Sequence, residues 1–334
     1  MRAVRTMIAA AMAAMVLAGT AAAQRSISET VHNGYHTMVH STGEVRFGDD
    51  DRSVTYVAPG ARLVIEEEAP GRPDRRVEYR ERDGRIERRF YRDGQPMQAS
   101  DDDEEWIARM IERQARENPA NAPRRVARLY RQGGVDAVLQ EIAEIGSDGS
   151  KRAYYTALLR QPLRAGETAR VMRHAGSHIA SDGDKSAVLG SLLDRPSVGA
   201  TELAAMLEAA SSIASDGDKS RVLVRAAQRD ALADAEVREA FFTTAQRIAS
   251  DGDKSRVLIA ALSNDRVRRE AVAAAVRTAR TIASDGDKSR TLLAVPTEFL
   301  GDRGVRMEIE RTMQTIASDG DRARVAIWLA RSVS

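Results

Sequence analysis

The chain has 334 residues, 43% hydrophobic, 4% aromatic and 30% charged, with a formal net charge of +2 and no cysteine. That length exceeds most single compact domains and supplies enough apolar residues for a sizeable core. The charge balance excludes the net basic face that nucleic-acid binding needs, and the lack of cysteine excludes disulfides and a lipid-modified cysteine.

The chain opens MRAVRTMIAAAMAAMVLAGTAAAQ. Arg2 and Arg5 make a short positive region, Met7 to Gly19 is apolar, and Ala21-Ala22-Ala23 offers a small-residue cleavage site. This is the pattern of a secretory signal peptide over residues 1–23, so the protein is expected in the periplasm or outside a bacterial cell. The apolar run is short for a membrane span, and no membrane span is expected after cleavage. Without these residues, cations and acids balance at 49 each, which suggests a surface of mixed-sign pairs.

Residues 24–42 read as a flexible leader or a first strand. His32, His36 and His40 recur every four residues there, a zinc-ligand spacing on a helix, but Asn33-Gly34 breaks a helix. Residues 43–100 then read as an antiparallel β domain. Val45 and Phe47 alternate with polar neighbours, and so do Leu63 and Ile65. Asp83-Gly84 and Asp93-Gly94 are hairpin turns, because glycine accepts the positive φ such turns require. The faces differ in hydrophobicity, which implies a thin, one-sided sheet packed on something else.

From Asp101 to residue 334 the period becomes helical. DDDEEWIARMIERQAREN begins with acids, which suit the positive end of a helix dipole, and then sets Trp106, Ile107, Met110 and Ile111 on one face. The motif IASDGDKSRVL at 213–223 recurs unchanged at 248–258, with close copies elsewhere. Its isoleucines stand at 145, 179, 213, 248, 282 and 316, in steps of 34, 34, 35, 34 and 34. Such a period marks a solenoid of helical hairpins. The expected fold is therefore α+β: a small antiparallel sheet followed by about six hairpins.

The motif lies at the bend of each hairpin. Ser215 and Asp218 are spaced as a capping box for the second helix. Asp216 is a further cap, and Gly217 is expected to permit a tight passage. Equivalent residues are Ser181, Asp182, Asp184 and Lys185; Ser250, Asp251, Asp253 and Lys254; and Ser284, Asp285, Asp287 and Lys288. Lys185, Lys219, Lys254 and Lys288 are expected to bond aspartates of adjacent turns. The end copies depart from the pattern, with Ser150 in place of an acid and Arg322 in place of lysine. Trp106 and Trp328 bracket the array and read as its apolar caps.

The loop from Asp251 superficially matches a calcium site but has Arg256 at the glycine position and Leu262 at the bidentate glutamate position. His174 and His178 share a helix face without the glutamate of a zinc-peptidase motif. No phosphate-binding glycine loop, nucleophile elbow or cysteine nucleophile is present. No catalytic, metal or cofactor site is assigned.

The repeat I-x-S-D-x-D-K-x-x-x-L resembles one in the soluble exported portions of bacterial sensor-type membrane metallopeptidases and in related stand-alone proteins. GEVRFGDDDRSV (43–54), VAPGARLVIEE (57–67), the hairpins of 75–94 and DEEWIARMI (103–111) resemble the same set. The resemblance implies a sheet domain joined to HEAT-like repeats. It does not carry catalysis over, because H-E-x-x-H and the set of membrane helices are missing. The expected function is an exported scaffold binding an unidentified protein or peptide. The alternative implied by the resemblance is a regulatory or inhibitory subunit of an envelope peptidase.

Overall fold

The structure is a computed structural model that describes residues 25–331 apart from 33, 34 and 231, and leaves the side chains of 25–34 and 165 aside. The expected signal segment lies outside the described residues. Two compact units divide at Ala115/Arg116.

The first unit is a six-stranded antiparallel sheet in the order β1-β2-β5-β6-β7-β8. Its strands are β1 Arg25–His32, β2 Tyr35–Thr42, β5 Arg62–Glu68, β6 Arg75–Arg82, β7 Arg85–Arg92 and β8 Gln95–Met97. A separate ribbon pairs β3 Val45–Phe47 with β4 Val54–Val57. Both expected hairpin turns form, with Asp83 and Gly84 at φ 53° and 76° and Asp93 and Gly94 at 48° and 75°. The expectation of a flexible leader at 24–42 is corrected. β2 pairs with β5 from His36 opposite Glu68 to Thr42 opposite Arg62 and buries Thr37 and Val39.

One sheet face carries Leu63, Ile65, Val77, Tyr79 and Phe90, all buried. Helix α1, Asp101–Glu117, covers it with Trp106, Ile107, Ile111 and Ala115. The helix therefore belongs to the sheet unit, and the boundary falls later than 100/101. Trp106 is 2% exposed and meets Phe90 edge-on at 6.3 Å. It fills the core of the sheet unit rather than capping the array. Asp103, in the first turn of α1, accepts from Arg92 at 2.6 Å and from the Ser100 amide and hydroxyl at 3.0 and 2.7 Å. Burial pushes its carboxyl up, but these bonds win and hold it down at about 2.

The second unit consists of six helical hairpins: α2 Ala122–Ala143 with α3 Asp148–Leu158, α4 Ala165–His178 with α5 Asp182–Leu192, α6 Ala200–Ala210 with α7 Asp216–Ala227, α8 Ala235–Gln246 with α9 Asp251–Leu262, α10 Arg269–Ala279 with α11 Asp285–Leu293, and α12 Arg303–Met313 with α13 Asp319–Arg331. First helices pack on first helices and second on second. A continuous core runs between the rows through Tyr155, Met172, Leu189, Met206, Leu223, Phe241, Leu258, Val276, Leu292 and Ile309. α2 bends at Gly134, whose φ of 63° disfavours any side chain. Small residues let α4 and α6 approach closely: a Cβ on Gly176 would lie 2.9 Å from that of Ala209. Trp328 is half-buried against the core on the last helix.

Candidate functional site

Each motif starts its second helix at its first aspartate. The preceding serine caps that helix: Ser181, Ser215, Ser250 and Ser284 accept from Asp184, Asp218, Asp253 and Asp287 amides at 3.2–3.3 Å. Only half of the expected capping box forms. The serine's own amide is claimed by the previous repeat, so the third-position aspartate turns outward to an arginine. Asp218 meets Arg221 at 2.6 Å, Asp253 meets Arg256 at 3.0 Å and Asp287 meets Arg290 at 3.0 Å. In the second copy, where Ala187 replaces that arginine, Arg152 of the preceding repeat reaches Asp184 at 3.0 Å.

The first aspartate makes the link between repeats. Asp182 accepts from the amides of Ala214 and Ser215 at 3.1 and 2.7 Å. Asp216 does the same to Ala249 and Ser250, Asp251 to Ala283 and Ser284, and Asp285 to Ala317 and Ser318. Asp148 serves Ala180 and Ser181. For the first copy Glu117 substitutes, accepting from Gly146 at 2.7 Å and Ser147 at 3.3 Å. Partial burial raises the Asp182 carboxyl, and the two amides more than offset it, leaving it below the usual range.

The lysine ladder exists with a different partner from the one expected. Lys185, Lys219, Lys254 and Lys288 are 4–5% exposed and donate forward to backbone carbonyls of Ser212, Arg247, Thr281 and Thr315 at 3.1–3.4 Å. A turn leaves carbonyls as well as amides unpaired, and the neighbouring aspartates are already occupied by amides. Asp251 and Asp216 still act on Lys254 through space, against the burial that lowers its pKa. Gly217 is also corrected: it lies in the first turn of α7 with an ordinary φ, and a Cβ there would meet nothing closer than 4.0 Å.

The links point one way. In the last copy Asp319 is 90% exposed and pairs with Arg322, which donates back to Ile316 O at 3.3 Å.

In the suspected calcium loop, Asp251 holds two amides and Asp253 holds an arginine. His36 and His40 lie on one face of β2, where a rise of about 3.3 Å per residue sets them roughly 13 Å apart, too far for one ion. The His174/His178 pair on α4 gains a third member from α3 that sequence reasoning missed. Tyr155 Oη and His174 Nδ1 are 2.5 Å apart, and the rings of His174 and His178 stack at 3.7 Å. Burial first, then His178 and Arg170, lower the His174 pKa to about 4. A second missed feature is the row five residues before each motif isoleucine: Gln140, Glu208, Thr243, Arg277 and Arg311 are exposed, and His174 is half-buried. Amide, carboxylate, hydroxyl and guanidinium alternate along it, with arginine in each of the last two copies.

No family model matches the chain, and no curated protein or solved structure matches it. No described helix is long and apolar enough to cross a membrane.

Proposed function

We propose that the chain is an exported, non-catalytic scaffold that binds a protein or peptide along the first-helix row of the array. The observation that carries this reading is a division of labour. Joint residues repeat and are spent on bonds between repeats, whereas the row Gln140, Glu208, Thr243, Arg277 and Arg311 is exposed and takes four different side chains in five copies, with half-buried His174 in the remaining one. Repeats that keep their contacts constant and vary their exposed positions offer an extended surface on which specificity is written step by step. Photo-crosslinking in intact bacterial envelopes tests it. A crosslinker at Thr243 or Arg277 should trap one discrete partner, and one at Arg221 or Arg256 should not. Equal trapping at both sets, or none at either, would reject the row as the binding surface.

A further inference from the structure

The sheet unit contains a cleft of about 320 Å³ between the sheet and α1. Four arginines line it: Arg72, Arg75, Arg109 and Arg113. Glu67 is the acidic residue of the lining. Arg75 is 3.7 Å from Asp103, and Arg109 is 3.5 Å from Glu105. Arg72 stacks 5.4 Å over the Tyr35 ring, and among the described residues neither it nor Arg113 has an ion-pair partner. Trp106 also lines the cleft, and its indole N–H is buried without an acceptor. A buried donor left unpaired is expensive, on the order of 1–3 kcal/mol, and calls for a reason.

We propose that this cleft binds a small organic oxyanion, a carboxylate or phosphate ester on a flat apolar body. The guanidinium forks of Arg72 and Arg113 suit bidentate pairing with two oxygens of one anion, which lysine could not match. Tyr35, Trp106 and Met110 supply a flat apolar wall. The volume is at the lower end of small-ligand sites, about 300–1,000 Å³, which fits one ring with its acid group. The proposal stands apart from the scaffold reading, since it uses no residue of the array.

Calorimetric titration of the full chain tests it, with phenyl phosphate, benzoate and the cation benzylamine as probes. One saturable site is expected for an anion and none for benzylamine. Arg113→Gln should weaken the anion at least tenfold, and Arg113→Lys should restore only part of that. Preference for phenyl phosphate with competition by inorganic phosphate assigns a phosphate ester; preference for benzoate assigns a carboxylate. Arg72→Gln with Arg113→Gln is the second variant, its fold checked by circular dichroism. Binding undiminished in that folded double variant, equal binding of benzylamine, or no saturation with either anion overturns the proposal.

Discussion

The sheet unit and the helical array both draw carboxylates away from water, and they give them opposite partners. In the sheet unit Glu78 is 4% exposed and meets Arg62 at 2.7 Å, while Asp103 is 1% exposed and meets Arg92. Side chain answers side chain, with the Ser100 amide as an added partner of Asp103, so the arginine and its acid can be exchanged as a pair. In the array each first aspartate before the last copy answers two backbone amides of the next turn, and a lysine answers a carbonyl. The backbone cannot be mutated away, so only the side-chain half is free to vary. A strand pairs its own amides within the sheet, whereas every helix start leaves amides open. The array spends its acids there.

Removing one carboxylate from each unit should separate the two cases. Asp103→Ala leaves Arg92 and Ser100 facing a buried gap. It should cost about 3 kcal/mol, the scale of breaking a partly buried pair. Urea unfolding followed by Trp106 fluorescence in a Trp328→Phe background measures it, and an unchanged midpoint would contradict the account of the sheet core. Asp216→Ala removes two charge-assisted bonds and should cost about 2 kcal/mol. Hydrogen exchange should then speed up at Ala249 and Ser250 and leave Ala283 and Ser284 protected. Uniform change across all joints would mean that the links do not act pairwise.

Lys219→Met sharpens the comparison further. The lysine makes one carbonyl bond at 3.2 Å, lies 3.7 Å from the Asp216 carboxylate of its own turn and bears the penalty of burial, so its replacement should cost only about 1 kcal/mol. A loss as large as that of Asp216→Ala would make the lysine an equal member of the joint.

Acid should weaken the array before the sheet unit. His174 in the folded chain titrates near 4, below the usual 6.5, so the unfolded chain takes up the proton first. Stability therefore falls as pH drops from about 6.5 towards 4. Asp103 is held at about 2, so its contribution persists down to about 3.8 and is lost only below that. Thermal melts at stepped pH should show a slope in the upper window that His174→Phe flattens. The smallest effect is expected from Gly217→Ala. With an ordinary φ and open space, alanine should be neutral or stabilise by up to about 1 kcal/mol.

The period of the isoleucines made the hairpins legible in the sequence, because all six copies repeat one buried position. Ser215 as a helix cap was legible too, since capping is local. The partners of Asp216 and Lys219 were not. A bond to a backbone amide more than thirty residues away leaves no mark in the identity of its partner, so an aspartate and a nearby lysine read as each other's mates. Trp106 misled for a related reason: its place at the start of the helical stretch says nothing about which core its helix covers. The cleft arginines hid among the 51 cations of a chain with almost no net charge.

The one-way reach of the joint makes every repeat a coupling with a hook at one end and an eye at the other. Past the Glu117 that serves the first copy the hooks are all aspartates, and the eye is plain backbone. Cutting out residues 214–248 would bring Asp182 against Ala249 and Ser250, the same eye it already grips at Ala214 and Ser215. Array length is thus a quantity that can change in whole units without any new fit being found, and a lineage could lengthen or shorten its exposed row while the joints stay as they are.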